Sequence, residues 1–312
     1  MDSHKHVFQL PRDGRPYFEE IFQRCGDLIR YGVWGGLDIS QLRRWITNFT
    51  TDEEKYFAAC VLDSLIYRSK GQTIALIRQL FQRMLPDLTR LNPTPFGSID
   101  DWVENLRSRS FSNDPGVRLV AAVTKDDPPT KSAHIIARLM KQNLSICESW
   151  IIKPWEIQET IRAGIKIYVF IDDFLGTGNQ FEDLFIRENL EPALANVYAV
   201  YAPLVAHESG QMHLQKTFPS LRINSVETLD AKYGLFHQNS GCFNDGVNTP
   251  NVARDFYKNL LITKKINVTP PYIWGYGKLE LAYAFEDATP DNSLPILWWR
   301  KSPSWTPLFH HR

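Results

Sequence analysis

The sequence predicts an α/β fold, a parallel sheet preceded by a helical region. Three observations carry this. Residues 16 to about 109 read almost wholly as helix. From residue 117 onward, short apolar runs alternate with helical segments. The run Ile165–Ile171 is apolar apart from Lys166, which marks a strand buried on both faces, as parallel sheets require. The change of pattern predicts a division near residue 110, with residues 1–110 helical and residues 111–312 forming the α/β domain.

The elements follow from their own periodicities. Phe18, Ile21, Phe22, Cys25, Leu28 and Ile29 recur at helical spacing. Asp38 or Ser40 caps a second helix through Leu42, Trp45 and Ile46. Thr51, followed by Asp52, Glu53 and Glu54, opens a third, because carboxylates suit the positive end of a helix. A fourth runs through Ile74, Ile77, Leu80 and Phe81 and stops before Pro86. A prolyl connection at 91–97 and a short helix over Ser98–Arg109 complete the region. The turn Asp114-Pro115-Gly116 then leads to a strand over Val117–Val123. Lys131–Gln142 is helical, Ser145–Ile152 is a candidate strand, and Pro154–Ala163 is a short helix with proline near its start. After Ile165–Ile171 come a helix over Phe181–Arg187, a strand over Val197–Val205, a helix over His207–Thr217 and a strand over Leu221–Val226. The stretch Asn239–Asn248, rich in Asn and Gly, reads as a long loop, either a lid over a sugar or an ordered surface loop. Asn251–Ile262 is helical, and Leu279–Phe285 and Leu294–Trp299 read as late strands.

Composition narrows the function classes. The chain has 312 residues, 43% hydrophobic and 22% charged, which is ample for a buried core. Its 35 basic and 35 acidic residues balance, so no global field holds a polyanion, though a local basic patch is compatible with this. The four cysteines, Cys25, Cys60, Cys147 and Cys242, are far apart, without the spacing of a zinc site or disulfide framework. They read as reduced thiols of a cytoplasmic protein. The first dozen residues lack the apolar run of a signal peptide, and no apolar run approaches the roughly 20 residues that span a bilayer. His134, His207, His213 and His237 have no metal-ligand spacing and read as packing or surface residues. Trp298, Trp299 and Trp305 read as core, with a partner interface as the alternative.

The most informative segment is Ile167-Tyr168-Val169-Phe170-Ile171-Asp172-Asp173-Phe174-Leu175-Gly176-Thr177-Gly178-Asn179-Gln180. A buried strand ends in two adjacent carboxylates, a Gly-Thr-Gly turn follows, and then a helix begins. The carboxyl ends of parallel strands are where open α/β sheets bind ligands. The turn offers backbone N–H groups with no side chain in the way, and the new helix adds its positive end. Thr177 adds a hydroxyl donor. Carboxylates beside an anion site suit vicinal sugar hydroxyls, so the arrangement fits a ribose 5-phosphate held at both ends.

This segment resembles the phosphoribosyl-diphosphate loop of the phosphoribosyltransferase family, whose motif is an apolar strand, two acidic residues, a short variable stretch and Thr-Gly. The resemblance implies a phosphoribosyltransferase-type α/β domain in which Asp172 and Asp173 contact the ribose hydroxyls and Leu175, Gly176, Thr177, Gly178, Asn179 and Gln180 cradle the 5-phosphate. Asn179 and Gln180 stand where the family usually has Gly and a small hydroxyl residue. The family's diphosphate loop corresponds to Val120–Ser132, where Lys125, Lys131 and Ser132 are placed to contact a diphosphate. Pro128 and Pro129 remove N–H donors from that loop. Thr130-Lys131-Ser132 lacks the upstream glycines of a nucleoside-triphosphate loop and is not one. Mg²⁺ is expected with a diphosphate substrate and needs few protein ligands.

Over the whole chain, Asp172–Gly178, the tail Thr289–Trp299 with Trp305–Phe309, and Leu62–Tyr67 resemble the divergent phosphoribosyltransferase-like proteins of prokaryotic conflict systems. That resemblance implies an effector of antiphage defence acting beside a protein partner of the same system. Two functions from different classes follow. One is an enzyme that binds phosphoribosyl diphosphate or a nucleotide and transfers or hydrolyses the ribosyl group. The other is an inactive module that senses a nucleotide or docks to its partner.

Overall fold

The computed structural model describes residues 7–91, 104–108, 116–128 and 131–309. The expected connection at 91–97 beyond Leu91, most of the helix expected over Ser98–Arg109, and Asp114, Pro115, Pro129, Thr130, His310 and His311 lie outside them, although 104–107 are helical.

Helix α1 (Gly14–Arg30) buries Ile21 and Cys25. Helix α2 (Ile39–Ile46) begins where Asp38 accepts from the Gln41 N–H, so Asp38 is the cap and Ser40 lies inside the helix. Helix α3 (Asp52–Asp63) opens on a full capping box: Thr51 accepts from the Glu54 N–H, Glu54 reaches back, and three acids fill the first turn. Strand β1 (Ile66–Arg68) follows. Helix α4 (Lys70–Leu91) runs through Pro86 instead of stopping there. A proline inside a helix costs about 3 kcal/mol. The buried row Leu80, Met84 and Leu88, gathered against Val117, Leu119, Val169 and Ile171, offsets it. Tertiary packing overrides the local stop signal.

Strand β2 (Val117–Ala121) leads to α5 (Ser132–Leu144), β3 (Ile151–Ile152), α6 (Ile157–Arg162), β4 (Ile167–Leu175), α7 (Asn179–Arg187), α8 (Leu190–Leu194), β5 (Tyr198–His207), α9 (Glu208–Thr217), β6 (Arg222–Ile223) and β7 (Glu227–Leu229). The strand expected over Ser145–Ile152 shrinks to β3, because Ser145 is left-handed and Glu148–Trp150 make a 3₁₀ turn. The sheet is parallel throughout, in the order β3-β2-β4-β5-β6, with β7 also on β5. All nine residues of β4 are buried. Pro203, within β5, falls between the residues paired by β6 and those paired by β7, so its missing N–H costs no bond to either.

Helix α10 (Pro250–Thr263) and strand β8 (Tyr283–Phe285) complete the chain, β8 pairing in parallel with β1. The strand expected over Leu279–Phe285 is shortened because Lys278 and Glu280 adopt left-handed backbone. The strand expected over Leu294–Trp299 is absent, since Pro295–Leu297 form a 3₁₀ turn. Apolar runs alone do not separate a strand from a buried turn.

The chain forms two compact units, one of residues 1–70 with 230–312 and one of residues 71–229. The change of periodicity near residue 110 is therefore not where the chain divides: most of α4 packs with the sheet, and residues 230–312 pack with α1–α3. The first unit has an aromatic core in which Trp45, Phe57 and Tyr257 are fully buried. Trp298, Trp299 and Trp305 are core as well, each at most 5% exposed. The indole N–H groups of Trp45 and Trp305 converge on one acceptor, the Ile296 carbonyl, at 2.9 and 3.2 Å. The loop Asn239–Asn248 is ordered within this unit. Phe243 stacks on Phe57, Asp245 accepts from Tyr56, and Asn248 donates to the Gln9 carbonyl.

Candidate functional site

The second unit has the doubly wound strand order in which the first strand sits between the second and the third. Connections leave β2 toward β3 on one side, while β4 lies on the other. Ligands of such sheets bind at this switch point, outside the carboxyl ends of the two strands. Two loops converge there, the one after β2 with Thr124–Ser132 and the one after β4 with Gly176–Gly178.

The second loop has the geometry of an anion cradle. Gly178 is the N-cap of α7 at φ +92°, a left-handed conformation that favours glycine, and no side chain caps the helix. Among the described residues, the N–H groups of Thr177 and Gly178 and the Thr177 hydroxyl have no acceptor or donor within the protein. Asn179 and Gln180 begin the helix and are exposed. The turn is held from beneath by α9. A Cβ at Gly210 would stand 2.2 Å from the Gly176 carbonyl oxygen, and one at Gly178 would stand 3.0 Å from Leu214. Leu175 ends β4 and is buried. His213 on α9 meets Glu182 on α7 at 2.7 Å, a structural pairing.

The acidic pair lies inside the strand, since β4 continues to Leu175. Successive side chains of a strand point to opposite faces. Asp172 shares a face with Phe170 and with Tyr201 of β5, whereas Asp173 continues the row of Val169 and Ile171 on the other face. The two carboxylates are therefore separated by the sheet. Asp172 is 8% exposed and Asp173 5%. Asp172 Oδ1 accepts from Ser132 Oγ at 3.0 Å and from the Asp173 N–H at 2.9 Å, and Oδ2 accepts from the Tyr201 hydroxyl at 3.2 Å. Burial and the neighbouring Asp172 push the Tyr201 hydroxyl well above its ordinary range, so it stays a donor at neutral pH. Tyr201 is the residue that sequence reasoning missed here. Its place in an apolar run gave no sign of the hydroxyl's partner.

In the first loop, Asp127 accepts from the Thr124 N–H at 2.7 Å and pairs with Lys131 at 3.4 Å. Burial raises the Asp127 carboxyl, but the Thr124 N–H and Lys131 outweigh it and hold the group below the usual carboxylate range. Ser132 begins α5, is 3% exposed and ties that helix to β4 through Asp172. Lys125 stands 5.6 Å over the Trp155 ring, in a cleft of about 610 Å³ between α5 and β3. The structure thus brings Ser132 to Asp172 and Lys131 to Asp127, and places Lys125 beside Trp155. His207 accepts from the Ser209 N–H and caps α9, and no group of three or more His, Cys, Asp or Glu side chains able to hold a metal occurs among the described residues.

A parallel doubly wound sheet with a glycine turn at the carboxyl end of β4 defines the class as a phosphoribosyltransferase-like α/β protein. The PRTase-CE family model matches residues 42–311, most of the chain and both units, and the chain belongs to that family. No curated protein and no solved structure matches it significantly. Among the described residues, no helix is long and apolar enough to cross a membrane.

Proposed function

We propose that the second unit binds a ribose 5-phosphate, as phosphoribosyl diphosphate or a nucleotide, and transfers or hydrolyses its ribosyl group. The observation that carries this is the Gly176-Thr177-Gly178 turn at the uncapped start of α7, whose Thr177 and Gly178 N–H groups have no acceptor among the described residues. Free N–H groups and a helix N-terminus there match a phosphate dianion. Asp172 takes a ribose hydroxyl, a carboxylate oxygen accepting more than one donor. Its negative charge stabilises the cationic anomeric centre of the transition state. Lys131 and Ser132, at the head of α5, face the leaving diphosphate. Asp173, on the opposite face, holds the strand end and positions Asp172 through its N–H.

Mg²⁺ fits as an ion that arrives with the diphosphate. It keeps several waters and needs only one or two carboxylates, and Asp127 and Asp172 are the ones tied to the loop. When bound, it would neutralise charge on the diphosphate.

The engagement of Asp172 by Ser132, Tyr201 and the Asp173 N–H favours a second reading, a site that binds without turnover. In either reading the resemblance to conflict-system proteins supports an effector role in antiphage defence, with a protein partner from the same system. The test is thermal stabilisation by phosphoribosyl diphosphate with Mg²⁺. Ligand at about a hundred times its Kd adds roughly 2.7 kcal/mol, and Asp172→Asn is expected to remove that gain. Release of diphosphate in the same samples identifies turnover, and its absence with binding intact selects the second reading. No stabilisation of the wild type overturns both.

A further inference from the structure

The cleft between α5 and the edge strand β3 has features that the switch-point site does not use. One face of α5 presents His134, Arg138 and Lys141 at helical spacing, and the opposing wall carries Lys153 and Trp155. Lys125 closes one end. Lys141 is neutralised by Glu148, and Lys131 nearby by Asp127. Lys125, Arg138 and Lys153 have no carboxylate in ion-pair range among the described residues. Lys125 and Lys153 sit 5.6 and 5.4 Å from the centre of the half-buried Trp155 ring. Such contacts place two ammonium groups beside an aromatic plate. The cleft, at about 610 Å³, is the size of a small-molecule site.

We propose that this cleft is a second binding site, for a mononucleotide: the phosphate between Arg138 and Lys153, and the base against Trp155. The three cations outside the Lys131–Asp127 and Lys141–Glu148 pairs match a phosphate dianion, for which Arg offers a planar fork. The aromatic plate selects a ligand with a flat ring. The electrostatics agree. Burial first, then Lys153, lower the His134 imidazole below its ordinary value, with Asp127 opposing and Arg138 adding to the shift. The site shares the Thr124–Ser132 loop with the switch point, since Thr124, Lys125 and Asp127 line the cleft while Asp127 holds Lys131 beside Ser132. This proposal shares the Thr124–Ser132 loop with the ribose-phosphate reading but uses no residue of the Gly176–Gly178 turn and not Asp172.

The test is calorimetric titration with 5′-AMP of the wild type, an Arg138→Gln/Lys153→Gln variant, Trp155→Leu and Asp172→Asn. Arg138 and Lys153 are exposed, so their variant keeps the fold, which circular dichroism checks. AMP affinity is expected to fall about ten-fold or more in the double variant, to weaken in Trp155→Leu, and to survive in Asp172→Asn. Unchanged affinity in the double variant, or no AMP binding to the wild type, overturns the site. So does inorganic phosphate binding as tightly as AMP with Trp155→Leu neutral, or a single-stranded oligonucleotide binding where AMP does not. Failure of the ribose-phosphate reading looks different. It removes the response to phosphoribosyl diphosphate from the wild type and leaves AMP binding intact.

Discussion

Ser132 Oγ donates to Asp172 Oδ1 at 3.0 Å, across 40 residues of sequence, and this bond joins the first turn of α5 to the carboxyl end of β4. It is buried on both sides. A buried acceptor that loses its donor costs about 1–3 kcal/mol. Ser132→Ala is expected to lower stability by that amount in denaturant unfolding and to weaken phosphoribosyl diphosphate binding. Ser132→Thr, which keeps the hydroxyl, restores part of both.

Gly210 makes no contact with any proposed ligand, yet it sets the turn. Its Cβ would lie 2.2 Å from a backbone oxygen, which no side-chain rotation relieves. Gly210→Ala is expected to displace Gly176–Gly178 and to abolish ligand-induced stabilisation while the chain still folds. Gly178→Ala combines left-handed strain of roughly 1–2 kcal/mol with a 3.0 Å approach to Leu214. A thermal-shift comparison of both with the wild type checks the order, with Gly210→Ala the more damaging to binding.

His134 gives a pH test of the cleft. Its folded pKa lies below 6.5, chiefly through burial and then through Lys153, with Asp127 opposing and Arg138 adding a smaller lowering. The unfolded chain therefore binds the proton more readily, and stability falls as pH drops from 6.5 toward the folded pKa. Removing a neighbouring charge should raise that pKa. NMR titration of the imidazole is expected to show a higher value in Lys153→Gln than in the wild type, with a smaller rise in Arg138→Gln. No movement in either would mean that burial alone sets the group.

The Ile296 carbonyl offers a double-mutant cycle. Trp45 and Trp305 both donate to it, so each can lose its N–H while the oxygen keeps a partner. Trp45→Phe and Trp305→Phe should each cost more than the hydrogen bond alone, since indole volume is lost as well. The pair together should exceed their sum, because only then is a buried carbonyl orphaned, at about 1–3 kcal/mol. Chemical denaturation of the four proteins measures the difference.

Several features were legible from residues alone because their signals are local. The apolar run ending in Asp172-Asp173 gave the central strand, Gly176-Thr177-Gly178 gave the turn and the helix after it, and Thr51 with its acids gave the start of α3. The pairing of Ser132 with Asp172 was not legible, because 40 residues separate them. Nor was the cleft, whose cations come from α5, from Lys153 just after β3 and from the loop between β2 and α5.

What the sequence by itself determined is the chemistry available and the period of each segment, since both are set by neighbours a few residues apart. Only the tertiary structure decided that α4 continues through Pro86, that Leu294–Trp299 turns rather than pairs, and that the chain divides at residues 70 and 229. It alone placed Asp172 and Asp173 on opposite faces of the sheet, because β4 extends past them once β5 pairs as far as Leu175. These outcomes depend on contacts distant in sequence, whose energies of a few kcal/mol exceed the local preferences they override.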